Sequence, residues 1–78
     1  MRIATLNINN VLSRFDSLIE WLDDAQLDVV CLQELKTEQG RFPAEALGQM
    51  GYSAVWQGQR AWNGVAILAR GMTPILTR

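Results

Sequence analysis

The sequence predicts a layered α/β domain, and three observations carry that expectation. An apolar run at residues 2–8 is followed by an amphipathic helical pattern and a second apolar run at 27–32, the order of a strand-helix-strand unit of about 30 residues. Pro43 and Gly51 then bracket a short helical segment. Two further apolar runs, 52–57 and 64–70, flank a turn at 58–63 and read as a β-hairpin. At 78 residues the chain is a single small domain.

The elements follow in order. Residues 2–8, rich in Ile, Leu and Thr, form a buried strand that ends near Asn7. Asn9 and Asn10 mark a turn, because Asn tolerates positive φ and bonds its own backbone. Leu12, Phe15, Leu18, Ile19 and Leu22 share one face of a helix, which Trp21 widens. Ser13 or Asn10 caps its start, Asp16 and Glu20 suit its early turns and outer face, and residues 23–26 end it. Residues 27–32 are apolar enough for a strand buried on both faces, parallel to the first. Residues 37–42 are a polar loop and 44–50 a short helix. Strands follow at 52–57 and 64–70. After a turn at 71–74, residues 75–77 begin a fifth strand.

Composition excludes several classes. Apolar residues make up 49% of the chain, which is ordinary globular usage. Net charge is −1, and the seven basic residues are scattered rather than clustered into a nucleic-acid patch. The lone Cys31 cannot form an intrachain disulfide and is expected as a small buried hydrophobe. With no histidine, the chain offers no imidazole base or ligand. No secretory leader is seen, and no apolar run approaches the ~18 residues of a membrane span. The expectation is a soluble cytoplasmic protein with no membrane partner.

Two polar signatures close the first two strands: Asn7-Ile8-Asn9 and Leu32-Gln33-Glu34-Leu35-Lys36. Carboxyl ends of neighbouring strands are where α/β domains commonly hold ligands. Glu34 there suits Mg²⁺, which takes one or two carboxylates plus waters and phosphate oxygens. On spacing alone, a surface glutamate paired with Lys36 is the commoner outcome. Asn7 and Asn9 can ligate a metal or bond a phosphate, but Asn also needs no functional reason before a turn. Lys36 and Arg60 can meet phosphate or simply be solvated. Trp62, beside Asn63, can stack on a base or cover the core, whereas Trp21 and Trp56 read as core. No glycine-rich phosphate loop, Ser/His/Asp set or Cys/His cluster is present.

Order and context add to these signals. Arg-Ile-Ala-Thr-Leu-Asn-Ile-Asn at the start, Leu-Asp-Val-Val-Cys-Leu-Gln-Glu-Leu-Lys at 27–36, Gly-Tyr at 51–52 and Trp-Asn-Gly-Val-Ala-Ile-Leu at 62–68 together resemble the exodeoxyribonuclease III and apurinic/apyrimidinic endonuclease branch of the endonuclease/exonuclease/phosphatase superfamily. The resemblance covers the whole chain. It implies the N-terminal part of a four-layered, DNase I-like α/β sandwich that hydrolyses phosphodiesters in DNA with Mg²⁺ or Mn²⁺, as a 3′–5′ exonuclease and abasic-site endonuclease of DNA repair. It makes Glu34 the metal-binding glutamate and Asn7 the organiser of the metal site. Asn9, Lys36 and Asn63 match positions of the family's motifs, and these three, with Arg60 from its loop, are the residues expected to face the nucleic acid.

The family motif reads Asn-x-Asn-Gly, and Asn10 replaces its glycine. Asn is the next best residue for a left-handed turn, so the backbone is expected to survive. Leu35 replaces a common threonine. The family's catalytic tyrosine, Asp-x-Asn pair and Asp-His pair are expected beyond Arg78, so no catalytic residue is assigned within this chain. The piece alone is therefore expected to be an incomplete domain, inactive on DNA and prone to self-association. A superfamily phosphodiesterase acting on a non-DNA substrate, or a non-catalytic interaction module, are the competing functions.

Overall fold

A computed structural model of the chain describes residues 1–58 and 64–71. Its elements run β1 (Ile3–Asn7), α1 (Phe15–Ala25), β2 (Val29–Gln33), a 3-10 turn (Gln39–Arg41), α2 (Ala44–Gln49), β3 (Tyr52–Gly58) and β4 (Gly64–Arg70). The expected fifth strand at 75–77 lies outside the described residues.

The four strands form one mixed sheet in the order β1-β2-β4-β3. β1 and β2 are parallel, as a strand-helix-strand unit requires, with Asn7 opposite Gln33. β4 runs antiparallel to both β2 and β3. Strand residues alternate between faces, so this register collects Ala4, Leu6, Val30, Leu32, Ala66, Leu68, Tyr52, Ala54 and Trp56 on one side. These join Leu18 and Leu22 of α1 and Leu47 of α2 in a single hydrophobic core. The helices therefore cover one face of the sheet.

The other face corrects an expectation. β2 is not buried on both sides: Val30 and Leu32 are buried, while Val29 and Cys31 are half-buried. Ile3 and Val65, on the same open face, are 64% and 43% exposed. An apolar run cannot distinguish one covered face from two.

The helix start is also corrected. α1 begins at Phe15, with Arg14 at its N-cap and no side-chain cap. Asn10 caps the preceding turn instead: its Oδ1 accepts from the Ser13 N–H at 3.2 Å, and Ser13 Oγ donates to its carbonyl at 3.3 Å. Val11 takes the buried place expected for Leu12. Val11 is fully buried and its N–H donates to the Leu35 carbonyl at 2.9 Å, while Leu12 is 39% exposed. Gln26, in a left-handed conformation, ends the helix with its N–H on the Leu22 carbonyl.

Trp56 is half-buried against the core, stacked on Phe42 with ring centroids 4.8 Å apart. Its Nε1 donates to the Gln39 carbonyl at 2.8 Å, and Gln39 Nε2 donates back to the Trp56 carbonyl at 3.1 Å. Gln39 Oε1 also accepts from the Gly58 N–H at 2.6 Å. A Cβ on Gly58 would stand 2.6 Å from the Thr37 carbonyl, so glycine is what lets this turn lie against β3.

A polar clamp ties the other end of the sheet. Asp28 Oδ2 accepts from the Arg2 N–H at 2.7 Å, and Arg70 Nη2 stands 3.6 Å from Asp28 Oδ1. Arg70 also donates to the Gln26 side chain and carbonyl, at 3.0 and 3.1 Å. The buried Tyr52 hydroxyl donates to the Leu27 carbonyl at 2.6 Å, and burial raises its pKa. The Arg2 hydrogen bond, helped by Arg70, holds the Asp28 carboxyl below its ordinary value of 3.8, against a smaller opposing effect of burial. A carboxyl lowered in the folded state contributes stability that is complete above its unfolded pKa and is lost as pH falls through the folded one. Asp28→Asn is therefore expected to flatten the loss of stability below about pH 4, read as the urea midpoint against pH.

Candidate functional site

The site is built at the opposite end, where β1 and β2 finish side by side. Pairing continues past both strands. The Ile8 N–H donates to the Gln33 carbonyl at 3.0 Å and the Asn10 N–H to the Glu34 carbonyl at 2.9 Å. This zips the turn after β1 onto the turn after β2 and puts Asn7 beside Glu34.

The backbone here is unusual. Asn9 and Asn10 have φ of 48° and 88°, so the left-handed turn expected at Asn10 is present. Glu34 and Lys36 also have positive φ, 55° and 51°, where side chains other than Asn and Gly are disfavoured. Between them Leu35 is fully buried, and its N–H donates to the Gly64 carbonyl at 3.2 Å. Gly64 itself has φ of 103°, and a Cβ there would stand 3.0 Å from the Leu35 Cβ. The buried leucine thus anchors a turn whose two left-handed residues hold Glu34 and Lys36 at the surface. Strain of this kind, about 1–3 kcal/mol per residue at most, persists only where the surroundings enforce it, and it gathers at functional sites.

Four polar side chains meet there. Asn7 Nδ2 donates to Glu34 Oε2. Asn7 Oδ1 accepts from the Asn9 N–H at 3.1 Å, a local Asx turn. Lys36 Nζ donates to Asn9 Oδ1 at 2.5 Å and lies 3.8 Å from Glu34 Oε1. Glu34 and Lys36 side chains are 41% and 30% exposed, so their ion pair adds only about 0–1 kcal/mol and does not by itself explain the strained turn.

The structure thus brings Asn7, Asn9, Glu34 and Lys36 into one cluster. In this arrangement the Asn7 amide orients the carboxylate, with its oxygen turned to its own backbone. Arg60, Asn63 and Trp62 lie outside the described residues. Among the described residues no group of three or more His, Cys, Asp or Glu side chains could hold a metal. Glu34 and the two asparagine oxygens are hard donors, and one carboxylate of this kind suits Mg²⁺, which keeps several waters and takes phosphate oxygens.

Several neighbours were not picked out from the sequence. Arg14 donates from Nε to the Asn9 carbonyl at 3.3 Å and helps line a cavity of about 390 Å³ with Leu6, Asn7, Ile8, Asn9 and Trp21. Thr37 and Arg41 line a second cleft on the far side of Lys36. In the sequence both belong to a polar loop, and their only signal was nearness to Lys36. No described helix is long and apolar enough to cross a membrane.

The chain is similar to several known proteins. Residues 4–73 match the endonuclease/exonuclease/phosphatase family. Over all 78 residues the chain is 32% identical to exodeoxyribonuclease III of Haemophilus influenzae, covering 29% of that protein. Among solved structures, it is similar to a 3′ phosphatase from Neisseria bound to a product DNA hairpin. The TM-score is 0.86 at 42% identity, over 92% of this chain and 28% of that one. It is also similar to an AP endonuclease from Archaeoglobus fulgidus, with a TM-score of 0.84 at 40% identity, over 88% of this chain and 27% of that one. The chain therefore spans less than a third of the length of these relatives. Its sheet and helices form the N-terminal part of a DNase I-like α/β fold. The chain belongs to the endonuclease/exonuclease/phosphatase family.

Proposed function

We propose that this chain supplies one side of the active site of a metal-dependent DNA repair nuclease, hydrolysing phosphodiesters as a 3′–5′ exonuclease and abasic-site endonuclease. The observation that carries the reading is the Asn7–Glu34 contact at the joined ends of β1 and β2, in a chain of this family. DNA is favoured over another phosphodiester because the relatives are described as an exodeoxyribonuclease, an AP endonuclease and a DNA-bound 3′ phosphatase.

In this reading Glu34 holds Mg²⁺ or Mn²⁺, Asn7 orients the carboxylate, and Lys36 and Asn9 face the phosphate. A bound divalent cation would neutralise charge developing on the phosphate and leaving oxygen. Lys36, with its ammonium fixed by Asn9, adds a point charge beside that phosphate. Asn7 holds Glu34 in one rotamer, so the carboxylate meets its ligand without reorganising. The chain has no histidine, and the general base and phosphate-orienting groups are expected on the remainder of a longer protein. Among the described residues β1 and β3 are the outer strands of the sheet, which fits a piece that pairs with that remainder or with a second copy.

The test is cleavage of a duplex bearing an abasic site. A polypeptide extended to the length of the relatives is expected to nick it only with divalent metal. The 78-residue chain alone is expected to be inactive, because it lacks the proton transfer that contributes about 10²–10⁴-fold. Metal-dependent nicking by the chain alone would overturn the half-site reading.

A further inference from the structure

The second cleft carries an inference of its own. It measures about 520 Å³ and lies between the turn after β1 and the turn after β2, lined by Asn10, Ser13, Lys36, Thr37, Glu38 and Arg41. Thr37 is only 4% exposed, yet its Oγ1 has no hydrogen-bond partner, the one buried side-chain oxygen or nitrogen so left among the described residues. Buried hydroxyls are nearly always satisfied, so an orphan beside a polar cleft marks a missing acceptor. The Arg41 side chain is exposed and makes no ion pair among the described residues. Lys36 reaches from this cleft to the candidate site, with Nζ 3.8 Å from Glu34 Oε1. Glu38 also lines the cleft and has an interaction of its own.

We propose that this cleft is a phosphate subsite, in which the Thr37 hydroxyl and the Arg41 guanidinium, with Ser13 beside them, hold a phosphate next to the one bound at Glu34. The chemistry fits an oxyanion: a hydroxyl donor, a forked cation that bonds two oxygens, and a lysine shared between neighbouring phosphates. The 37–41 turn is held rigid for this by Gln39 on Trp56 and Gly58. The subsite rests on the proposed nuclease reading for its substrate, a nucleic-acid backbone, but not for its ability to bind phosphate.

The experiment follows amide chemical shifts of the labelled chain on titration with inorganic phosphate and, separately, with a short single-stranded oligonucleotide. Both probes are expected to shift Ser13, Thr37 and Arg41. Thr37→Val and Arg41→Gln are each expected to weaken binding roughly tenfold, while Thr37→Ser restores it. Thr37→Val should also raise the melting temperature, because it removes an unsatisfied buried hydroxyl, so loss of binding cannot be loss of fold. Shifts from the oligonucleotide but not from free phosphate assign the subsite to backbone phosphate; shifts from free phosphate alone assign it to a small phosphate ligand. Shifts confined to residues outside the cleft, or binding unchanged in both Thr37→Val and Arg41→Gln, would overturn the proposal. Phosphate binding at the cleft together with no metal-dependent DNA cleavage by a polypeptide of the relatives' length counts against the nuclease reading alone.

Discussion

Glu34→Gln is expected to lower metal-dependent cleavage of DNA by about 10²–10³-fold in a polypeptide of the relatives' length. The substitution keeps size and shape and can still accept the Asn7 hydrogen bond, but it removes the only carboxylate in the cluster. Stability should change by no more than about 0.5 kcal/mol, since the side chain is 41% exposed and its pairing with Lys36 is a surface one. A surface ion pair predicts the opposite pattern, with activity within about twofold and a small change in salt dependence. Steady-state rates at several Mg²⁺ concentrations, beside a urea melt of each protein, separate the two.

Leu32→Ala is expected to remove a large share of the chain's stability and to shift its urea midpoint well downward. Leu32 is fully buried in the central strand β2, between Leu6 on β1 and Ala66 on β4 in register. Truncating such a leucine costs about 2–5 kcal/mol. A chain of 78 residues has on the order of 4–12 kcal/mol in total, and among the described residues the helices cover one face of the sheet. Leu12→Ala, at a position the helical pattern also marked as apolar, is expected to cost under about 1 kcal/mol because Leu12 lies outside the core. Circular dichroism against urea shows both effects.

The contrast between Leu12 and Leu32 shows what the residues disclose. The strand-helix-strand unit was legible because an apolar run, a helical spacing and a second run occur in that order, and the parallel pairing of β1 with β2 agrees. The short helix α2 was legible from Pro43 and Gly51, and Asn10 signalled its own left-handed turn, with φ of 88°. The start of α1 was not, because Asn10 can cap either a turn or a helix and only the pairing of Val11 with Leu35 decides between them. The open face of β2, with Cys31 half-buried, was hidden because burial of the second face depends on what packs there rather than on β2 itself.

The candidate site divides in the same way. Asn7 and Glu34 stood out because they close neighbouring strands. That Asn7 presents its NH₂ to Glu34, and its oxygen to its own backbone, is a property of the folded turn. The left-handed φ of Glu34 and Lys36 left no mark in the sequence, since neither residue type favours it. Thr37 and Arg41 went unnoticed because a polar loop looks solvated until its hydroxyl is found buried without a partner.

The central claim is that the joined ends of β1 and β2 hold a divalent cation on Glu34. Paramagnetic broadening by Mn²⁺ tests it most directly in the isotope-labelled chain, without any need for activity. The account predicts that substoichiometric Mn²⁺ broadens the amides of Asn7, Glu34 and neighbouring residues first, that excess Mg²⁺ reverses this, and that Glu34→Gln abolishes it. Broadening centred on the Asp23-Asp24 end of α1, or left intact by Glu34→Gln, would contradict it.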